Sequence, residues 1–186
     1  MINANVDLTN VILETDRLII RPWRKDDLND FYEYAKVDGV GQMAGWTPHT
    51  SIQESEKILS LFIEEKKVFA LELKENHKVI GSLGLEKLSI SLNEYYDNQS
   101  GREIGYVLSK AYWGKGLMPE AVKRVIRYCF EDENYDYLIC SHSISNNQSK
   151  KVIEKCGFRF VKENSRIARN GTEHISLYYV LDNGII

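Results

Sequence analysis

Residues 103–121 read EIGYVLSKAYWGKGLMPEA, and this stretch decides the fold. Its first six residues alternate, with Ile104, Tyr106 and Leu108 on one face, as a half-buried strand requires. Beyond it, Leu117, Met118, Ala121, Val122, Val125, Ile126, Cys129 and Phe130 recur at helical spacing. They make one apolar stripe over about four turns. Pro119 falls in the first turn, where its missing N–H has no intrahelical partner to lose. Between strand and helix lie Trp113, Gly114, Lys115 and Gly116. Two glycines there bare the backbone N–H groups beside the positive end of the helix dipole, a setting suited to phosphate. The turn is not a dinucleotide fingerprint, because Pro119 takes the third glycine position, and no Gly-Lys-Ser/Thr makes it a P-loop. A plain tight connection needs the same glycines, so the turn alone leaves both readings open.

Working outward, Tyr137 to His142 reads as a further strand. Ser145 to Gln148 reads as a capping box opening a helix that ends at Gly157. Phe158 to Lys162 and Thr172 to Leu181 close the chain as strands. Upstream, residues 15–23 (TDRLIIRPW) form a first strand, and Asp26 caps a helix to about Lys36. Gly39 to Pro48 is a loop, and Ser51 to Glu54 is a capping box with Ile52, Ile58, Leu59, Phe62 and Ile63 turned inward. Val68 to Leu73 and Val79 to Leu85 make a hairpin, and Lys87 to Gly101 is a polar, loose insertion. This order predicts an α/β (α+β) fold in one domain over residues 1–186. Its mixed, mostly antiparallel sheet has about six or seven strands and about four helices.

Composition narrows the function classes. The net charge is −3, which argues against nucleic acid as a partner. The apolar runs fall short of a membrane span, and Met1 to Asn10 shows no secretory pattern, so a cytoplasmic location is expected. Cys129, Cys140 and Cys156 are widely spaced and give neither a disulfide framework nor a metal pair.

The motifs taken together closely resemble the GNAT superfamily of acyl-CoA-dependent N-acetyltransferases. They are EIGYVL at 103–108, YWGKG at 112–116, Glu120-Ala121, and Asn146-x-x-Ser149 continuing to Gly157-Phe158. Thr15-Asp16-Arg17-Leu18-Ile19-Ile20-Arg21-Pro22 resembles the opening of the RimJ/RimL-like branch. The resemblance implies acetyl-CoA as co-substrate, with no metal, and a primary amine as acceptor. Its pyrophosphate would lie on Trp113, Gly114, Lys115, Gly116, Leu117 and Met118. The resemblance also implies that the strands at 103–108 and 137–142 are parallel and diverge at one end, with the pantetheine arm in the gap along Val107 and Leu108 and with Asn146 and Ser149 close by. Tyr112 occupies the position where the family often carries Arg or Gln, and Lys115 is either a phosphate contact or a solvated lysine.

Two roles follow from the same resemblance. Ser149 would protonate the departing thiolate, unless it and Asn146 only cap their helix. Glu103 would serve as base, unless it only pairs with Arg102 or another cation. His142 is the second candidate. Arg166-Ile167-Ala168-Arg169-Asn170 lacks the carboxylate that some relatives place there. Trp46, Tyr95 and Tyr96 fall in segments that line the acceptor side in relatives, or else pack their own loops. Cys140 and Cys156 have no basic neighbour at a recognisable spacing and are not expected as nucleophiles. The acceptor is expected to be a protein N-terminal amine. The alternatives are a polyamine, amino acid or antibiotic, or a non-catalytic acyl-CoA sensor. A nucleotide-binding module is a third class. The chain would act as a monomer or homodimer.

Overall fold

The computed structural model describes residues 1–167 and 173–184. The chain opens with β1 (Ile2–Asn3), β2 (Leu13–Glu14), β3 (Leu18–Pro22), α1 (Leu28–Ala35) and α2 (Ile52–Glu65). It continues with β4 (Val68–Leu73), β5 (Val79–Glu86), α3 (Glu94–Asp97), β6 (Ser100–Leu108) and α4 (Leu117–Arg127). It closes with β7 (Tyr137–Ser143), α5 (Asn147–Lys155), β8 (Arg159–Ile167) and β9 (Glu173–Asp182). Among the described residues the strands form one sheet in the order β2-β3-β4-β5-β6-β7-β9-β8, with β1 on the edge of β6 that β5 leaves free. Among the described residues only the β1–β6 and β6–β7 pairings are parallel. The expected mixed, mostly antiparallel sheet is therefore present. Its nine strands and five α-helices exceed the expected numbers by β1, β2 and α3. Two-residue strands are too short to show alternation in a sequence, and α3 is barely one turn.

Helices cover both faces. Phe69, Leu71, Ile104, Leu138 and Cys140 meet α4 and α5 on one side, where Leu117, Met118, Ala121, Val122, Val125 and Ile126 are buried. Each large apolar side chain fully removed from water there contributes roughly 1.5–3 kcal/mol. The alternate residues Val68 and Ala70 meet α1 and α2 on the other side. The segment at 87–99 is not the loose insertion expected. It lays Leu88 and Tyr96 onto Tyr137, Ile139, Tyr178 and Val180, on the same side of the sheet as α1 and α2. Tyr96 is buried against the Tyr137 ring, whereas Tyr95 is exposed.

Three local readings are corrected. The stretch 15–23 is the turn and second strand of a β2–β3 hairpin, with Leu13 opposite Ile20, so Thr15 and Arg17 lie in the turn. Asp27, not Asp26, accepts the backbone N–H of Arg24 at 2.7 Å. Asn146, not Ser145, caps α5 by accepting the Ser149 N–H at 3.1 Å. At the other end of α5, the N–H groups of Gly157 and Phe158 return to the carbonyls of Glu154 and Ile153, the Schellman closure that Gly157 suggested. Thr172 lies outside the described residues.

Asp27 has a second task. Arg21, Asp27 and Glu72 are buried together, and the Arg21 guanidinium donates to both carboxylates. Burial by itself would lower the Arg21 pKa, but the two carboxylates hold it raised. Replacing Asp27 by Ala leaves that buried guanidinium with half its partners. The expected cost is about 3 kcal/mol, read as a lower urea midpoint at unchanged m-value. A midpoint within error of the parent would mean that Glu72 alone compensates Arg21.

Candidate active site

The parallel ladder between β6 and β7 runs from Gly101↔Tyr137 to Ile104↔Cys140 and stops. Both strands continue, β6 to Leu108 and β7 to Ser143, without pairing. A slot therefore opens at the centre of the sheet, as the sequence led us to expect. On the α4/α5 side, Tyr106 reaches across to α5. Its hydroxyl lies 2.8 Å from Ser149 Oγ and 3.2 Å from the Ser149 carbonyl. Burial pushes the Tyr106 phenol well above its usual range, so it stays protonated.

On the opposite side of the sheet, Glu103 is buried. Its carboxylate accepts Ser141 Oγ–H at 2.7 Å and the Ser89 N–H at 3.3 Å. Arg102 points elsewhere and donates to the Ala4 carbonyl at 2.7 Å. No ion pair to Glu103 forms among the described residues, which removes the expected Arg102 alternative. His142 is differently placed. Its Nδ1 donates to the Ser143 carbonyl at 2.7 Å, and Nε2 is hydrogen-bonded to the Tyr179 hydroxyl at 3.2 Å. Both ring nitrogens are occupied, and the ring is buried.

The glycine turn follows at the end of β6. Gly114 and Gly116 both have φ of 76°, the left-handed region where a side chain is strained. The Trp113 indole N–H donates to the Leu108 carbonyl at 2.8 Å and fixes the turn to the strand. Lys115 is exposed, with Nζ 4.9 Å from the Tyr112 ring centroid. Trp113 and Gly114 are the central residues of a turn closed by the Lys115 N–H, and the backbone N–H groups of Gly114, Gly116, Leu117 and Met118 find no acceptor among the described residues. These four donors at the start of α4, which buries the apolar stripe beneath them, form an anion cradle. Leu117 and Met118 turn their side chains into the core while leaving their amides outward.

The acetyltransferase (GNAT) domain family matches the chain over residues 17–159. The chain belongs to the GNAT acetyltransferase family. It is an acetyl-CoA-dependent N-acetyltransferase with an amine acceptor. An uncharacterized N-acetyltransferase of Bacillus licheniformis, p20, is 27% identical over 79% of this chain and 82% of its own. A Bacillus subtilis relative provisionally named as a ribosomal N-acetyltransferase, YdaF, is 31% identical over 50% of this chain and 51% of its own. That likeness agrees with the RimJ/RimL-like branch. A GNAT-family acetyltransferase structure from Bacillus anthracis superposes with a TM-score of 0.81, at 20% identity, over 93% of this chain and 99% of that one.

Other residues of this GNAT domain sort plainly. Val107 lies on the same side of the sheet as Glu103 and packs against the same core cluster as Trp46 and Trp113, while Leu108 faces the other core. Trp46 leans on Gly41 and His49, so it packs its own loop as well as standing beside β6. Burial raises the Cys140 thiol well above its usual range, and that of Cys156 to about 11, so neither is a thiolate nucleophile at neutral pH. The sequence reading overlooked Tyr106 as a polar group. Its signal was present, since a hydroxyl sits on an otherwise apolar strand face between Ile104 and Leu108. Ala168–Asn170, part of the stretch without a carboxylate, lies outside the described residues. Among those residues, no helix is long and apolar enough to cross a membrane.

Proposed function

We propose that this enzyme acetylates the N-terminal amine of a protein or peptide, with the opened β6–β7 strands as its reaction slot. The observation that carries the reading is the end of pairing at Ile104↔Cys140, with the free amides of Gly114, Gly116, Leu117 and Met118 at the outlet of the same strand. The residues present fit acetyl-CoA. The four free N–H groups match a pyrophosphate, and a Cβ built at Gly114 would meet nothing within 4 Å. Trp113, Gly114, Lys115, Gly116, Leu117 and Met118 would hold the pyrophosphate, and Val107 and Leu108 the pantetheine arm. Acetyl-CoA supplies an acetyl group activated as a thioester.

The chain's own groups handle the protons. Glu103, buried and without a cation, draws a proton from the incoming ammonium on the α1/α2 side, because only the free amine has a lone pair to attack with. Ser149 Oγ, on the α4/α5 side, gives its proton to the leaving sulfur and regains one as the new amide nitrogen sheds its second proton. The Tyr106 hydroxyl shares a hydrogen bond with Ser149 Oγ and so holds the serine hydroxyl in place beside the slot. Asn146 caps α5 and fixes the turn on which Ser149 stands. Acid and base thus act from opposite faces of one sheet, which suits direct attack in a ternary complex.

The preference for a protein N-terminus draws on the ribosomal name of YdaF and on the half-buried Trp46 beside β6, an apolar wall for a first side chain. The test is thiol release from acetyl-CoA with peptides beginning Ala, Ser or Met, beside polyamines, amino acids and aminoglycosides. Turnover confined to the small amines would overturn the preference. In the same assay Glu103→Gln should lower kcat by about 10²–10⁴ at neutral pH, as loss of a general base does. The deficit should shrink as pH rises, because more of the amine arrives deprotonated. A deficit constant with pH would assign Glu103 to positioning instead.

A further inference from the structure

Thr15 and Arg17 sit in the β2–β3 turn, outside the slot and with no part in the proton transfers, yet both reach the glycine turn through Glu120. The Glu120 carboxylate, in the first turn of α4, accepts Thr15 Oγ1–H at 2.5 Å, the Arg17 N–H at 3.0 Å and Arg17 Nε–H at 2.8 Å. Arg17 Nη2 lies 2.6 Å from the same carboxylate. Burial would raise the Glu120 carboxyl, but Thr15 and Arg17 hold it lowered, so it is ionised. The remaining arm of the guanidinium, Nη1, donates to the Lys115 carbonyl at 2.9 Å. Arg17 thus ties the helix start and the turn into one unit.

We infer that Arg17 is a positioning residue that sets the Lys115–Gly116 peptide plane for a phosphate. The inference rests on the placement of the pyrophosphate proposed above. A peptide unit is planar and trans, so its C=O and N–H point in opposite directions. Arg17 holds the Lys115 carbonyl on the hairpin side, and this turns the Gly116 N–H away from the hairpin and outward. Gly116, which borders the plane on one side at φ of 76°, takes either sign of φ without a side-chain clash, so the plane needs an outside tie against flipping. A flip would present a carbonyl oxygen to an anion. The fork geometry of a guanidinium, which can bond the carboxylate and the carbonyl together, is what the task requires. Thr15 and Glu120 serve by aiming the fork.

The test compares Arg17→Ala, Arg17→Lys and Lys74→Met by calorimetric titration with acetyl-CoA and with S-acetylpantetheine, which has no phosphate. Lys74 pairs with Glu14 in the same hairpin at 2.7 Å and controls for loosening it. Arg17→Ala should raise the acetyl-CoA dissociation constant about tenfold or more, the scale of a lost charged hydrogen bond. S-acetylpantetheine, titrated at concentrations suited to its weaker binding, should show no change. Arg17→Lys keeps the charge without the fork and should stay within about threefold of the Ala variant. Lys74→Met should bind as the parent does. Full rescue by Arg17→Lys would overturn the inference in favour of simple charge, and an equal loss for both ligands would overturn it in favour of general loosening. Parent affinity in folded Arg17→Ala also overturns it. If Gly116→Asp binds normally as well, the pyrophosphate placement itself has failed.

Discussion

Gly116→Asp should weaken acetyl-CoA binding at least tenfold, about 1.4 kcal/mol or more, while the protein still folds. Three effects add in the same direction. The residue has φ of 76°, so a side chain there is strained or moves the turn. The new carboxylate stands among the free N–H groups and competes for them as an internal anion. It also repels the phosphates it displaces. The Arg17 guanidinium, 3.6 Å from where the Cβ would lie, gives the new charge a partner and keeps it in place. Calorimetric titration checks the affinity, and near-UV circular dichroism checks the fold. Parent affinity in a folded variant would put the pyrophosphate elsewhere on the molecule.

Ser149→Ala should lower kcat by about 10²–10⁴ and leave acetyl-CoA affinity within a few-fold, the signature of a lost proton donor. The competing explanation, loss of a helix cap, is already weakened. Asn146 supplies the capping oxygen and Ser149 only its backbone N–H, which the substitution keeps. Tyr106 also retains the Ser149 carbonyl as acceptor, so no buried hydroxyl is orphaned. Stability should therefore change little, and the rate should carry the effect. Tyr106→Phe should cost less, about tenfold, because the serine proton loses its orientation and not its source. Steady-state rates of both variants decide the matter. An unchanged kcat in Ser149→Ala would pass proton delivery to water.

The parts of this molecule legible in its sequence are those where one residue pattern serves one purpose. The stripe from Leu117 to Phe130 is buried along its length, and the glycines at 114 and 116 take the left-handed conformation the turn called for. Long periodic elements announce themselves because burial repeats the signal many times. The hairpin at 13–22 did not, because its first strand has two residues and its turn contains Thr15 and Arg17, read as strand. Asp26 and Asp27 are adjacent acids, and only the path of Arg21 chooses between them. The segment at 87–99 read as loose because its polar residues outnumber Leu88 and Tyr96, which nonetheless close a core of their own. At the slot, sequence position put Glu103 near β7 but could not show on which side of the sheet it faces. Nor could it show that Tyr106 bridges to Ser149, since the contact joins residues 43 apart.

The strand order β7-β9-β8 carries a consequence for how the enzyme is made. β9 lies between two strands synthesised before it, so β8 has no neighbour to pair with until residues 173–182 leave the ribosome. Until then β7, the far wall of the slot, has one edge bare and the other only half paired. A nascent chain can assemble β2 to β6 and dock α1 and α2 early, but its β7, once made, stays open to off-pathway pairing until β9 follows some thirty residues later. β9 therefore completes the wall of the proposed reaction slot, which comes into being only as that strand inserts between β7 and β8.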